Sequence, residues 1–138
     1  MNHIEQLYLQ IIHNTCTQTS SNITISQDVS ISLINLAQTQ SSLPFLLPYI
    51  KDSSLLANIK YQTKLMMLNY YQIEQFTRRI ADLFDANNIS YILLKGISLA
   101  AFYPVPEYRQ LGDVDIYIND KEMFNRANAL LLANGYTQ

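Results

Sequence analysis

Cysteine is almost absent from this chain: Cys16 is the only one among 138 residues. A disulfide within the chain and a metal cluster built from cysteine thiolates are therefore excluded. Glycine is nearly as scarce, with three residues, and proline occurs four times. Disordered segments are rich in such residues and poor in hydrophobic ones, whereas 49% of this chain is hydrophobic. The composition thus indicates one folded domain with a substantial core.

Charge is also sparse, because only 14% of the residues are charged and the net charge is −2. Extensive nucleic-acid binding is not expected, since it needs several Lys or Arg side chains at phosphates. No apolar run approaches the roughly 18 to 20 residues that span a membrane. The N-terminus also lacks the basic region and apolar run of a signal peptide. We therefore expect a cytoplasmic protein that is not attached to a membrane.

Helical periodicity fills the first two thirds of the chain. Apolar residues recur every three or four positions over residues 3–18, after Ser26, and from Asp52 to about Asn87. The last segment predicts one helix of roughly 34 residues, about 50 Å long, or two helices separated by a kink. Strand-like patterns follow it, so we predict an α+β fold. Residues 1–86 form the helical region and residues 87–138 a partial α/β core, within one compact unit.

Two strand candidates in the second region carry polar residues at their ends. Tyr91 to Leu94 is apolar and is followed by a Lys-Gly pair, whereas residues 113–118 alternate polar with apolar side chains. Residues two apart in a strand point to the same face, so Asp113 and Asp115 are expected to project together. Neighbouring carboxylates repel unless a cation lies between them, and Mg²⁺ takes one or two carboxylates plus substrate phosphates. The pair therefore predicts a metal site.

A short helix over residues 96–102 is expected between the two strands. Gly96 opens it, and a glycine at a strand-to-helix turn lets a phosphate approach the backbone. The helix N-terminus that follows favours an anion. The turn is thus predicted to hold phosphates while the acidic strand holds the metal.

These motifs, in this order, resemble those of a nucleotidyltransferase-fold family in the DNA polymerase β-like superfamily. More specifically, they are similar to an uncharacterised bacterial nucleotidyltransferase group with a Leu-Lys-Gly turn, Tyr-Pro, Arg and Asp-x-Asp. The residues that carry the resemblance are Leu94-Lys95-Gly96, Tyr103-Pro104, Arg109 and Gly112-Asp113-Val114-Asp115-Ile116. The resemblance covers about residues 89–136, and the helical front contributes little to it.

The resemblance implies a small mixed sheet flanked by helices, and transfer of a nucleotidyl group from an NTP to an acceptor, either a protein or a small molecule. It implies Mg²⁺ or Mn²⁺ as cofactor, with Asp113 and Asp115 as metal ligands and catalytic residues. The nucleotide-binding residues that it implies are Lys95, Gly96, Ser98 and Arg109. Transfer in the superfamily is an in-line attack on the α-phosphate.

The chain also departs from the family pattern. Ile97 stands where the superfamily has a serine after the glycine, so Ser98 either replaces that serine or caps the turn. Lys95 either reaches a phosphate or pairs with one of the two aspartates, and Arg109 pairs with phosphate or with Glu107. No carboxylate follows Glu122, so the third acidic residue of the family is missing and we expect the chain to be truncated before that strand.

Two functions of different classes are therefore predicted. The first is a Mg²⁺-dependent nucleotidyltransferase-like domain. The second is a truncated or degenerate, catalytically inactive protein of the same fold that acts by association. Two strands leave open sheet edges, and a homodimer or a partner chain would complete such a sheet.

Overall fold

The computed structural model describes residues 2–19 and 23–137, and over these ranges the chain forms five α-helices and two strands. The α+β class is confirmed. The helices are α1 (His3–Thr17), α2 (Gln27–Thr39), α3 (Ser53–Ala86), α4 (Gly96–Ala100) and α5 (Lys121–Ala133). The strands are β1 (Ile92–Leu94) and β2 (Asp115–Tyr117), and two 3₁₀ turns cover Leu43–Leu46 and Pro106–Tyr108. None of the described helices is long and apolar enough to cross a membrane.

Side-chain caps fix where the main helices begin. Asn2 and Glu5 form a reciprocal capping box at the start of α1, with both hydrogen bonds 2.9 Å long. Asp52 accepts two backbone N–H groups at the start of α3, and Asp120 accepts one at the start of α5. Helix α3 runs unbroken for 34 residues from Ser53, so the alternative of two helices with a kink is wrong.

Two hydrophobic clusters form the core, and α3 contributes to both. The first lies between α1, α2, the first 3₁₀ turn and the beginning of α3. Its buried members are Ile11, Leu33, Ala37, Leu43, Leu46, Ile50 and Ile59. The second joins the end of α3 to the strand region and α5, with Ile80, Phe84, Ile89 and Ala127 buried. The long helix thus connects the helical front to the sheet.

The sheet of the described residues is the antiparallel pair of β1 and β2. Leu94 pairs with Asp115, and Ile92 with Tyr117, so the end of β1 lies opposite the start of β2. A mixed sheet needs at least three strands, so the mixed character that the resemblance implied is not formed within the described residues. The predicted alternation is present: Ile116 packs on the second cluster, while Tyr117 is exposed on the other face.

Both strands are shorter than the sequence pattern suggested. Tyr91 precedes β1, and Asp113 precedes β2 by two positions. Helix α4 also ends early, at Ala100 instead of Phe102. The strands are short because only three residue pairs hydrogen-bond across them, and the chain outside these pairs follows turns and loops.

Candidate functional site

The turn between β1 and α4 has an unusual backbone. Lys95 has φ of 49° and Gly96 has φ of 39°, a region that side chains with a Cβ disfavour. A Cβ built on Gly96 would lie 3.3 Å from the backbone oxygen of Asp113. The absent side chain therefore allows the turn to pack directly against the chain that enters β2. In this way the fold brings the Lys-Gly motif and the Asp-x-Asp motif together.

An ion pair joins the two motifs. Because Leu94 lies opposite Asp115 in the ladder, the next residue, Lys95, extends over the same carboxylate. Its Nζ atom lies 3.4 Å from Oδ2 of Asp115, and the two side chains are 74% and 38% exposed. Of the partners expected for Lys95, the structure thus places Asp115 beside it. An ion pair so exposed to solvent adds little to stability.

The two aspartates differ in their surroundings. Asp113 is exposed and lies in the irregular segment before β2, whereas Asp115 is the first residue of the strand and is partly buried. No group of three or more His, Cys, Asp or Glu side chains that could hold a metal ion occurs within residues 2–19 and 23–137. A cation here would therefore need further oxygen ligands besides the two carboxylates. This donor set fits Mg²⁺, which combines one or two carboxylates with substrate phosphates and waters.

Arg109 is bound to the turn. Its Nε donates to the Gly96 carbonyl at 3.1 Å, and its Nη1 donates to the Tyr103 hydroxyl at 3.3 Å. The guanidinium carbon also lies 5.6 Å from the centre of the Tyr103 ring, within cation–π range. Glu107, the alternative partner expected from the sequence, instead accepts a hydrogen bond from the Tyr71 hydroxyl at 2.8 Å. Arg109 therefore fixes the carbonyl of the phosphate-binding candidate Gly96.

Ser98 is part of the same turn. Its hydroxyl donates to the Lys95 carbonyl, which its backbone N–H also contacts at 2.9 Å. The proton of the hydroxyl is thus used within the turn, but this is not an N-cap, because the hydroxyl donates to a carbonyl and does not accept a backbone N–H. A phosphate contact would need the hydroxyl to leave the Lys95 carbonyl, and it stays a prediction.

Three residues that the sequence did not assign to the site hold its loop in place. Asn69 donates from Nδ2 to the Leu111 carbonyl at 2.6 Å, Tyr71 binds Glu107, and Tyr103 stacks with Arg109. The first two contacts join residues 42 and 36 positions apart, and local periodicity carries no information about such pairs. The sequence did point to Tyr103, because this residue belongs to the Tyr-Pro pair of the family motif.

Two tyrosines of α3 near this loop have raised pKa values. The hydrogen bond to Glu107 raises the pKa of Tyr71, and the negative charge of the same carboxylate adds to the effect. Burial raises the pKa of Tyr70, with a further contribution from Glu74. Both phenols therefore remain protonated donors at neutral pH.

Comparison with protein families gives a match to an uncharacterised family. A family model described as "Uncharacterised nucleotidyltransferase" matches residues 32–138, which is most of the chain. The match begins within α2 and so extends beyond the residues, about 89–136, that carry the motifs; it includes residues 32–86 of the helical region but not α1. Searches of curated proteins and of solved structures found no match.

Proposed function

We propose a function on the premise that the chain belongs to the uncharacterised nucleotidyltransferase family. The proposed reaction is transfer of a nucleotidyl group from an NTP to an acceptor, with Mg²⁺ or Mn²⁺ as the cofactor. The observation that supports it is the contact between the two motifs: the Gly96 turn packs on the Asp113 backbone, and Lys95 reaches Asp115. A phosphate at the turn would therefore lie beside the acidic pair.

In this proposal Asp113 and Asp115 are the metal ligands and the catalytic residues. The metal, when bound, would neutralise phosphate charge at the reacting centre. Lys95 exchanges its carboxylate partner for a phosphate oxygen of the nucleotide, which its exposed and flexible side chain allows. Gly96 and Ser98 lie in the turn next to this lysine, where the same phosphates are proposed to bind.

Arg109 has a positioning role in this scheme. Its Nε and Nη1 are engaged by Gly96 and Tyr103, so it supports the turn from behind. Its positive charge still contributes to the potential at the phosphates, because Coulomb attraction at a partly buried site acts beyond contact distance.

The reaction balances as a substitution at phosphorus. The acceptor oxygen forms a bond to the α-phosphorus, and the bond from that phosphorus to the pyrophosphate leaving group breaks. The proton of the acceptor passes to a carboxylate of the Asp113 and Asp115 pair. The products are the nucleotidylated acceptor and pyrophosphate.

Calorimetric titration of ATP, GTP, CTP and UTP with Mg²⁺ tests the nucleotide site. We expect one or more of them to bind the wild type and to lose binding in the Asp113→Ala, Asp115→Ala double variant. The matched control is Asp28→Ala, Asp82→Ala, which removes two carboxylates elsewhere and should bind as the wild type does. If the folded wild type binds none of the four, the enzymatic proposal fails and the inactive, association-based function takes its place.

A further inference from the structure

A cleft made of two adjoining cavities lies between α2, α3 and the loop that leads into β2. Their volumes are about 430 and 400 Å³, and they share Ser41, Gln110 and Leu111. The larger cavity is bounded by the end of α2 and the middle of α3, and the smaller one reaches Gly112. Gly112 directly precedes Asp113 in the chain, so the smaller cavity ends at the segment that carries the candidate metal ligands. Each cavity is within the usual size range of small-molecule sites, about 300–1,000 Å³.

The walls of this cleft carry neutral hydrogen-bonding groups. They are the side chains of Gln38, Gln40, Ser41, Gln62, Asn69 and Gln110. An amide offers both donors and an acceptor, and a hydroxyl offers one donor and lone pairs. Among the lining residues the one charged side chain is Arg109, and two of its nitrogens already donate to Gly96 and Tyr103.

The rest of the lining is apolar. Leu65 and Met66 of α3 and the buried Leu111 contribute to the larger cavity. Leu65 is 43% exposed, so its surface is available to a bound molecule. A ligand that suits this cleft therefore has both C–H surface and groups that donate and accept hydrogen bonds.

The polar wall is also held in place. Asn69 donates to the Leu111 carbonyl at 2.6 Å, which ties the segment carrying Gln110 to α3. A fixed wall lowers the entropy that a ligand must lose on binding. The arrangement is thus preorganised for a small molecule.

We propose that this cleft binds the acceptor, and that the acceptor is a neutral, polyhydroxylated small molecule of the sugar class. A hydroxyl both donates and accepts, as the amide lining does, and the C–H face of a sugar ring would pack on Leu65 and Met66. No carboxylate is among the residues that line the cleft, and the guanidinium of Arg109 already donates from two of its nitrogens, so a charged acceptor would lose hydration without a matched ion pair inside the cleft. The acceptor role rests on the proposed function: one ligand hydroxyl would attack the α-phosphorus and release pyrophosphate, its proton going to the acidic pair.

The test uses NMR of the ¹⁵N-labelled full chain with neither nucleotide nor metal present. The probes are N-acetyl-D-glucosamine, which is neutral, D-glucosamine, which is cationic, and D-glucuronate, which is anionic. We expect the neutral sugar to shift the side-chain amide signals of Gln62 and Gln110, with at least fivefold weaker binding of both charged sugars. Gln62→Leu should weaken the neutral sugar at least fivefold, whereas the exposed Gln75→Leu on the same helix should bind it as the wild type does.

Two results would overturn the proposal: no shift of the cleft amides by the neutral sugar, or equal binding of the charged sugars. These results are distinct from failure of the proposed function, because the probes are added without nucleotide. Sugar binding together with absent NTP binding would support the sugar site while removing its role as an acceptor site. NTP binding without sugar binding would leave the nucleotidyltransferase proposal intact and remove the acceptor class.

Discussion

Lys95 has a charged side chain whose role is chemical more than structural. It lies 3.4 Å from Asp115, and both groups are open to solvent. We expect Lys95→Met to change the free energy of unfolding by less than about 1 kcal/mol, since exposed ion pairs contribute little. If the ammonium transfers to a phosphate, the same substitution should weaken Mg²⁺·NTP binding by roughly tenfold, the loss of one charge-assisted contact.

Urea unfolding and calorimetric titration measure the two quantities for Lys95→Met. Lys64→Met, an exposed lysine of α3, is the matched control and should leave both unchanged. Unaltered nucleotide affinity in Lys95→Met would restrict this lysine to its pairing with Asp115.

Arg109 is predicted to act by the shape of its guanidinium. The Nε contact with Gly96 and the Nη1 contact with Tyr103 need two nitrogens in a fixed plane. Arg109→Lys keeps the charge but not this geometry, and it leaves the partly buried Gly96 carbonyl without its donor. We therefore expect a loss of about 1–3 kcal/mol in unfolding free energy for Arg109→Lys, close to that of Arg109→Ala. Chemical denaturation checks this, with Arg79→Lys as the exposed control; a Lys variant as stable as the wild type would contradict it.

At the scale of elements, the β1–α4 turn and the approach to β2 fit together only because Gly96 has no side chain. Gly96 and Gly135 both have positive φ, 39° and 85°, but a Cβ on Gly135 would meet nothing within 4 Å. Gly96→Ala and Gly135→Ala should therefore share a backbone cost of about 1 kcal/mol. Only Gly96→Ala should also displace the Asp113 backbone and reduce Mg²⁺·NTP affinity. Thermal unfolding of both variants and titration of each with Mg²⁺·NTP test this. Equal nucleotide affinities of Gly96→Ala and Gly135→Ala would show that the close contact does not shape the site.

The contact between α3 and the second 3₁₀ turn has a predicted pH dependence. The hydrogen bond from the Tyr71 hydroxyl to Glu107 raises the pKa of Tyr71, and the charges of Glu107 and Glu74 act in the same direction. A raised folded-state pKa gives stability that is complete below the unfolded value, about 10, and is lost as the pH rises through the folded one. The melting temperature of Tyr71→Phe should thus fall below that of the wild type at pH 7–9, and the difference should shrink above pH 10. Tyr61→Phe, exposed on the same helix, should show no such trend; a difference constant up to pH 11 would contradict the assignment.

Local patterns predicted the elements well and their contacts poorly. The long α3 and the alternation in β2 are properties of neighbouring residues, and both are present. The contacts that shape the site are different, because Asn69 and Tyr71 meet partners 42 and 36 positions away. The length of the strands also depends on their pairing, which is why the short ladder could not be read from β-propensity. Only the family motif indicated that the Lys-Gly turn and the Asp-x-Asp segment belong to the same site.

At the scale of the whole molecule, α3 joins the two hydrophobic clusters. It contributes Ile59 to the first and Ile80 to the second, with no break between them. Interrupting a continuous helix breaks backbone hydrogen bonds, and each remaining piece must then be nucleated separately. This cost favours cooperative unfolding of the helix and the two clusters that it joins. If unfolding is cooperative, residues 1–86 and 87–138 differ in composition but do not fold as independent units. The family match begins in α2 and spans parts of both regions.

Two isoleucines of equal chemistry test this coupling. Ile11 is fully buried in the first cluster and Ile80 is 3% exposed in the second, so Ile11→Val and Ile80→Val should each cost about 0.5–1.5 kcal/mol. If the molecule unfolds as one unit, either substitution should lower the protection from hydrogen exchange of the most protected amides in both α1 and α5 by the same free energy. Ile31→Val, at a site that is 54% exposed, should leave both regions as in the wild type. Loss of protection confined to the substituted cluster would instead mean that the two ends of α3 open separately, and that the nucleotide site gains little stability from the helical front.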